Sequence, residues 1–341
     1  MLSCQHHYLP YGEAALGSNI VIDGGRNDNT VLSLSHWPKS GTPWALKADT
    51  SVGIVFNYLE SPDWHRDVPA VTNDHFDEDG LIGLFCMIEP AFALKNKTLL
   101  IDASRAGDFG TYEDRRAARL AFAISRLVDP GLSPWSPDVI GPDSFNDYPR
   151  YCATVYTRLL EILHGMIDDI EAHENLWADE DALLTASEKA LETGEATIEE
   201  VGDVYLAIVR VPADWPKRPA HRFTQYREVP IHPMAVHNRT RCNRIVTLCG
   251  DRLRFDYRYE SWVQVVHDRP PLRVDLAPLA DALTRAEDAK GVWHAETVDQ
   301  LTPSLTPEGG ISGLDHDRFV ALVCSALREG APAWDPYDPV P

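Results

Sequence analysis

The stretch Val68 to Pro90, VPAVTNDHFDEDGLIGLFCMIEP, decides how the chain is read. It opens with a short apolar run, Val68 to Val71, of the kind that forms a buried strand. It closes with the apolar segment Leu81 to Ile88, long enough for a helix. Between them, His75-Phe76-Asp77-Glu78-Asp79-Gly80 falls where a strand hands over to a helix, which in an open α/β sheet is the edge where sites form. Alternate residues of an extended turn point the same way, so His75, Asp77 and Asp79 are expected to converge on one point. Gly80 is expected to let the chain turn into the helix.

Acids crowded as Asp74, Asp77, Glu78 and Asp79 are repel one another unless protons or a cation intervene. Oxygen-rich ligands with one imidazole suit Mn²⁺, Mg²⁺ or Fe²⁺ better than a structural zinc. A calcium loop starting at position 75 would need Asp there and Glu at its twelfth position, whereas the chain has His75 and Cys86. The competing explanation is an acidic cap on the following helix, which accounts for the acids but not for the histidine.

The element resembles the first signature of the DHH phosphoesterase superfamily, His-x-Asp-x-Asp-Gly at a strand end. That resemblance implies hydrolysis of a phosphate ester or anhydride with two divalent metals, Mn²⁺ foremost, and an Asp after a later strand that bridges them; Asp102 is the candidate. Ser35-His36-Trp37 stands in place of the superfamily's Asp-His-His and comes before the His-x-Asp-x-Asp-Gly element rather than after it. The order LSHWPKSGTP, LKADTS, HFDEDG is similar to that of an uncharacterised bacterial protein family.

Outward from this stretch, Ser18 to Asp23 and Thr30 to Leu34 read as further strands, the second running into His36. Thr42 to Leu59 reads as a helix capped by Thr42, with an interruption or a second start at Ala48–Ser51. Thr98 to Asp102 reads as a strand ending in a carboxylate, and Glu113 to Leu127 as an amphipathic helix. The alternation predicts an α/β domain over residues 1–128, three-layered with a mostly parallel sheet. Asp23, His36, Asp77 and Asp102 are expected at one edge of that sheet.

Five prolines between Asp129 and Pro149 exclude regular structure there. Tyr151 to Glu174 reads as a long helix, so residues 129–203 form a proline-rich and helical connector. Residues 204–341 read as an α+β domain. Its strands are Val204–Val211, Arg244–Cys249, Arg252–Tyr259, Trp262–His267 and Val292–Glu296, its helices Leu276–Ala289 and Asp315–Arg328, and Gly250-Asp251 is a hairpin turn. His237, Arg239 and Arg241 are candidates for binding an anionic substrate, since arginine grips phosphate or carboxylate bidentately. The alternation Arg252, Arg254, Asp256, Arg258, Glu260 also fits a solvated strand face with cross-strand pairs. PEGGISG, 307–313, is loosely similar to a glycine-rich substrate loop of the DHH superfamily and equally fits an ordinary turn.

The chain has 31 basic and 52 acidic residues, a net charge of −21. Such a surface repels nucleic-acid backbones and anionic membranes; a local basic pocket could still accept a small anionic substrate, the expected partner. No run of 18 apolar residues marks a membrane span, and the N-terminus lacks the features of a secretory signal. The six cysteines contain no CxxC and do not resemble a disulfide framework, as expected of reduced thiols in the cytoplasm.

The resulting expectation is a metal-dependent hydrolase. Metal would be held by His75, Asp77, Asp79 and Asp102, and catalysis would rest on His36, Asp77 and Asp102. The alternatives are a non-catalytic binding protein with a structural cation and a non-haem metal oxygenase, since histidine and carboxylate also suit Fe²⁺.

Overall fold

The computed structural model of the chain describes residues 5–222, 225–287 and 291–337. The fold is α/β, in two compact units. The first comprises the chain as far as Ala182, with Pro219–Arg227 and Val265–His267; the second comprises Leu183–Arg218, Glu228–Gln264 and the chain from Asp268 on. The expected connector is therefore not a separate piece: its proline-rich segment and most of its helical residues belong to the first unit.

In the first unit, strands β1 (His7–Tyr8), β2 (Asn19–Ile22), β3 (Thr30–Leu34) and β4 (Ala70–Thr72) form a sheet in the order β1-β4-β2-β3. Every ladder is parallel. Strands β2 and β4 are buried along their whole length, as parallel strands covered on both faces are. Because the ladders are parallel, the residues that follow β2, β3 and β4 all emerge at one edge.

The helices of this part of the chain are α1 (Tyr11–Ala14), α2 (Ser51–Leu59), α3 (Glu78–Ile88), α4 (Pro90–Lys95), α5 (Lys97–Asp108), α6 (Arg115–Val128), α7 (Tyr148–Asp168) and α8 (Glu174–Thr193). Three expectations are corrected here. The run Thr98–Asp102 is helical: Leu100, Ala103 and Ala106 are its buried face, a spacing of three that a five-residue window reads as a strand. The helix expected over 42–59 is interrupted, with the second start expected at Ala48–Ser51: Trp44–Leu46 is a single 3-10 turn, and α2 starts at Ser51, where Thr50 accepts from the Gly53 amide at 3.1 Å. Thr42 caps nothing; its hydroxyl accepts from the Ser35 amide at 2.9 Å and donates to the Ser35 carbonyl at 2.8 Å. Gly80 lies inside α3 rather than at a turn, and is needed for room: a Cβ there would stand 2.2 Å from Asn73 Nδ2 and 2.8 Å from the Tyr156 hydroxyl.

The second unit carries a six-stranded sheet. Its strands in chain order are β5 (Thr197–Val201), β6 (Leu206–Val211), β9 (Arg244–Cys249), β10 (Arg252–Tyr257), β12 (Trp293–Ala295) and β13 (Ser304–Pro307). Their order is β12-β13-β10-β9-β6-β5, antiparallel except for the β6–β9 ladder. The hairpin at Gly250-Asp251 pairs Cys249 with Arg252, and Gly250 supplies φ 61°, as a two-residue turn requires. Helices α10 (Ala277–Ala286) and α11 (His316–Glu329) bury one face each in this unit's core. Short elements complete the chain: the pair β7 (Arg218–Arg222) and β8 (Gln225–Val229), helix α9 (Pro233–His237), and the pair β11 (Arg273–Val274) and β14 (Pro332–Trp334). Trp262–His267 is not a strand.

Among the described residues no helix is long and apolar enough to cross a membrane. The described cysteines, Cys86, Cys152, Cys242, Cys249 and Cys324, are all buried and none is in a disulfide.

Candidate metal centre

The edge where β2, β3 and β4 end collects a cluster of buried or partly buried acidic and imidazole side chains. Asp23 follows β2 with φ 49°, a left-handed conformation that aspartate tolerates better than most residues. His36 lies just beyond β3, and His75 and Asp77 beyond β4. Asp79 stands in the first turn of α3, and Asp108 is the last residue of α5. Asp23, His36, Asp79 and Asp108 are fully buried, while the His75 side chain is 20% exposed.

The two imidazoles are held in opposite ways. His36 Nδ1 is 2.7 Å from the Asp49 carbonyl oxygen. A carbonyl only accepts, so Nδ1 carries the proton and Nε2 turns its lone pair inward. It faces Asp108 Oδ2 at 3.4 Å, Asp23 Oδ1 at 3.6 Å and Asp79 Oδ2 at 3.9 Å. Burial lowers the His36 pKa to about 4, so at neutral pH Nε2 carries no proton and offers its lone pair to the acidic side chains or to a cation. His75 instead sets Nδ1 3.1 Å from Asp74 Oδ1 and Nε2 3.0 Å from Asp77 Oδ2. Burial alone would lower its pKa, but the Asp77 charge and the hydrogen bonds to Asp74 and Asp77 outweigh it and raise it well above the ordinary value. This arrangement favours the protonated ring when no metal is bound.

Asp23 lies between them. Its Oδ1 accepts from the Ser51 hydroxyl at 2.7 Å. Its Oδ2 is buried with no hydrogen-bond partner, 3.7 Å from His75 Nε2. Burial, then the Asp77 and Asp79 charges, raise the Asp23 pKa well above the ordinary carboxylate value. Asp79 is raised to about 7 by burial and by Asp77, although both its oxygens accept backbone amides, Ser51 at 2.6 Å and Val52 at 2.9 Å. Asp77 caps α3 through Gly80 N at 2.8 Å. Burial would raise it, but the His75 charge and these hydrogen bonds hold it low.

Two groups of metal-ligating atoms result: Asp23, His36 and Asp79, and Asp23, His75 and Asp77. Within each, the atoms lie within 4.8 Å of one another. Ligands bound at about 2.0–2.2 Å to one ion stand about 3 Å apart or a little more, so a small contraction closes either group. An aspartate common to both would set two cations side by side if both groups were filled, and a donor set of carboxylates and imidazoles suits Mn²⁺, Fe²⁺ or Mg²⁺.

The structure redistributes the residues expected from sequence. His75 and Asp77 stand together, but Asp79 does not share their point. The alternation fails because Asp77 is extended, as the helix cap, whereas Asp79 has already entered α3 and turns toward α2. Asp102 belongs to neither group; its carboxylate accepts the Glu113 amide at 2.9 Å and the Asp114 amide at 2.8 Å and so ties the loop after α5. The residue shared between the groups is Asp23, which the sequence places only at the sheet edge. Asp108 was missed: six residues beyond Asp102, it reaches the site from the end of the same helix. In the second unit, Arg239 pairs with Glu192 at 3.1 Å and Arg241 with Asp268 at 2.9 Å, so carboxylates of the chain already face both guanidinium groups. His237 ends α9. Arg254 pairs with Asp256 two positions along its own strand, not across strands, and Gly309 and Gly310 take the positive φ values of a turn.

Comparison with curated proteins and with solved structures gives no match to either. A family model matches residues 4–338, and the chain belongs to that family, DUF6687, described as a family of unknown function.

Proposed function

We propose that the protein is a divalent-metal-dependent hydrolase of a small phosphate ester or anhydride, with Mn²⁺ the preferred ion and Mg²⁺ or Fe²⁺ alternatives. The observation that carries this reading is Asp23, a fully buried carboxylate shared by two ligand groups, with Oδ2 lacking any donor. His75 Nε2, 3.7 Å away, offsets only part of the cost of burying this carboxylate, which runs to several kcal/mol, and a cation would offset the rest. Paired ions supply a water of lowered pKa and neutralise phosphoryl charge. Around them, Asp23, Asp77 and Asp79 hold the negative charge that retains cations, His36 presents Nε2, and the partly exposed His75 marks the side open to solvent. The resemblance of the HFDEDG element to the DHH phosphoesterases supports the phosphate preference.

A structural cation in a non-catalytic protein is the second reading. It is favoured by the complete burial of Asp23, His36 and Asp79, since catalytic metals keep an open position. Metal analysis of purified protein, followed by a chromogenic phosphate-ester screen with Mn²⁺ and with EDTA, separates the two. The hydrolase reading expects turnover that EDTA abolishes and that Asp77→Asn reduces at least about a hundredfold. Bound metal with no turnover across the screen would favour the structural cation, and no bound metal would sink both.

A further inference from the structure

We infer that Asp49 is a positioning residue for the His36 group of the metal centre, and that the peptide Val265–His267 is the strut that holds it; this rests on the metal-binding reading above. The Asp49 carbonyl accepts the Nδ1–H of His36 at 2.7 Å and thereby fixes which ring nitrogen faces the carboxylates. The Asp49 carboxylate is itself gripped. Its Oδ1 accepts the amides of Val266 at 2.7 Å and His267 at 3.0 Å, and its Oδ2 is 3.1 Å from His267 Nδ1. These partners come from 217 and 218 residues further along the chain. Val265–His267 groups with the first unit although the residues on both sides of it group with the second, and the Asp49 bonds give that short excursion a physical cause.

The loop between Leu46 and Ser51 is thus fixed from two directions. Asn57 Nδ2 donates to the Leu46 and Lys47 carbonyls at 3.1 and 3.3 Å, and the 265–267 amides fix the next residue but one. A backbone carbonyl can orient a ligand only if its peptide is immobile, and Asp49 is 33% exposed at its side chain, so an untethered peptide there would swing. Partners of this kind on a ligating histidine typically contribute 10–100-fold in metal affinity. The two ligand groups are unequal in this respect: His36 depends on Asp49, while both ring nitrogens of His75 face carboxylates of its own loop.

The test is a Mn²⁺ titration of the full chain by calorimetry, with wild type, Asp49→Ala, Asp49→Asn and His267→Ala. Wild type is expected to take up two equivalents. In Asp49→Ala one equivalent is expected to weaken about 10–100-fold and the other to stay within about twofold. Asp49→Asn keeps an acceptor for the two amides and His267→Ala keeps the amides, so both are expected near wild type. Where Asp49→Ala does not fold, Asp49→Gln displaces the side-chain acceptor of the Val266 and His267 amides by one methylene and carries the same expectation. In metal-free protein, nitrogen-15 NMR is expected to show the Nδ1–H tautomer of His36 in wild type and a mixture in Asp49→Ala. Equal weakening of both equivalents, or of neither with the tautomer unchanged, would overturn the positioning role alone. A wild type that binds no Mn²⁺ would bring down the metal reading and this inference with it, whatever the tautomer shows.

Discussion

Replacing Asp23 by Asn changes the shared ligand while keeping its shape. The amide oxygen of Asn can still accept from the Ser51 hydroxyl, now 2.7 Å from Oδ1, so local packing survives. In metal-free protein the substitution removes a carboxyl group whose pKa is raised by burial and by Asp77 and Asp79. The folded carboxyl keeps a proton that the unfolded one releases, so its contribution to stability falls as pH rises above the ordinary carboxylate value and levels off once the folded pKa is passed. Asn has no such loss. Metal-free Asp23→Asn should therefore melt at or above wild type at pH 7.5, with the difference growing from about pH 4 upward. With metal the order reverses. Each ion at a hundredfold excess over its Kd stabilises by about 2.7 kcal/mol, so two ions give about 5 kcal/mol, or about 10–20 °C for a domain of 150–250 residues. Because Asp23 serves both groups, the variant should keep less than about 3 °C of that shift. Differential scanning fluorimetry of both proteins, in EDTA and in Mn²⁺, reads all of this without a substrate. An equal Mn²⁺-induced shift in both proteins would refute the shared-ligand reasoning, and so would a variant that melts well below wild type in EDTA.

Gly80→Ala places a methyl 2.2 Å from Asn73 Nδ2 and 2.8 Å from the Tyr156 hydroxyl; overpacking of this kind should cost about 1–3 kcal/mol in urea unfolding. A loss under about 0.5 kcal/mol would show that this close approach is easily relieved. His221→Gln addresses pH. The buried His221 faces Glu180 at 2.6 Å and Asp129 at 3.4 Å, and feels the charge of Glu78. Burial would lower its pKa, but these carboxylates raise it. The stabilisation is therefore full below the unfolded value near 6.5 and lost as pH rises through the higher folded value. Urea unfolding from pH 6 to 9 should show wild type losing stability relative to His221→Gln as pH increases, and a constant gap would contradict the raised pKa.

The sheet edge was legible because three apolar runs each stop at a polar residue, and parallel pairing then fixes where Asp23, His36 and Asp77 emerge. The distribution of ligands was not. His75, Asp77 and Asp79 look equivalent in a string of letters, but the backbone changes from extended to helical between 77 and 79, and a helix turns its side chains through 100° per residue. Asp102 and Asp108 are likewise both acids near an apolar run, and only helical geometry, invisible in Thr98–Asp102 alone, selects the second. Asp23 ahead of Gly24 and Gly25 reads as turn chemistry, and nothing local shows that it meets two histidines. Contacts such as that of Asp49 with Val266 and His267 span 217 and 218 residues and leave no local pattern at all.

The acidic cap and the cation were posed as rival explanations of HFDEDG, and the geometry makes them complementary. Asp77 spends Oδ1 on the Gly80 amide and turns Oδ2 to His75. Asp79 accepts the first two amides of α2 while Oδ2 also faces His36. Asp23 spends Oδ1 on Ser51 and leaves Oδ2 without a partner. Each carboxylate, then, accepts at least one bond from the fold and still turns an oxygen toward the site. The N-termini of α2 and α3 offset part of the mutual repulsion, each by about 0.3–1 kcal/mol and up to about 2 kcal/mol when partly buried. The acids are thereby held close together before any ion arrives. Binding of a cation there would then cost little ordering of side chains, which is where much of a binding free energy is otherwise lost.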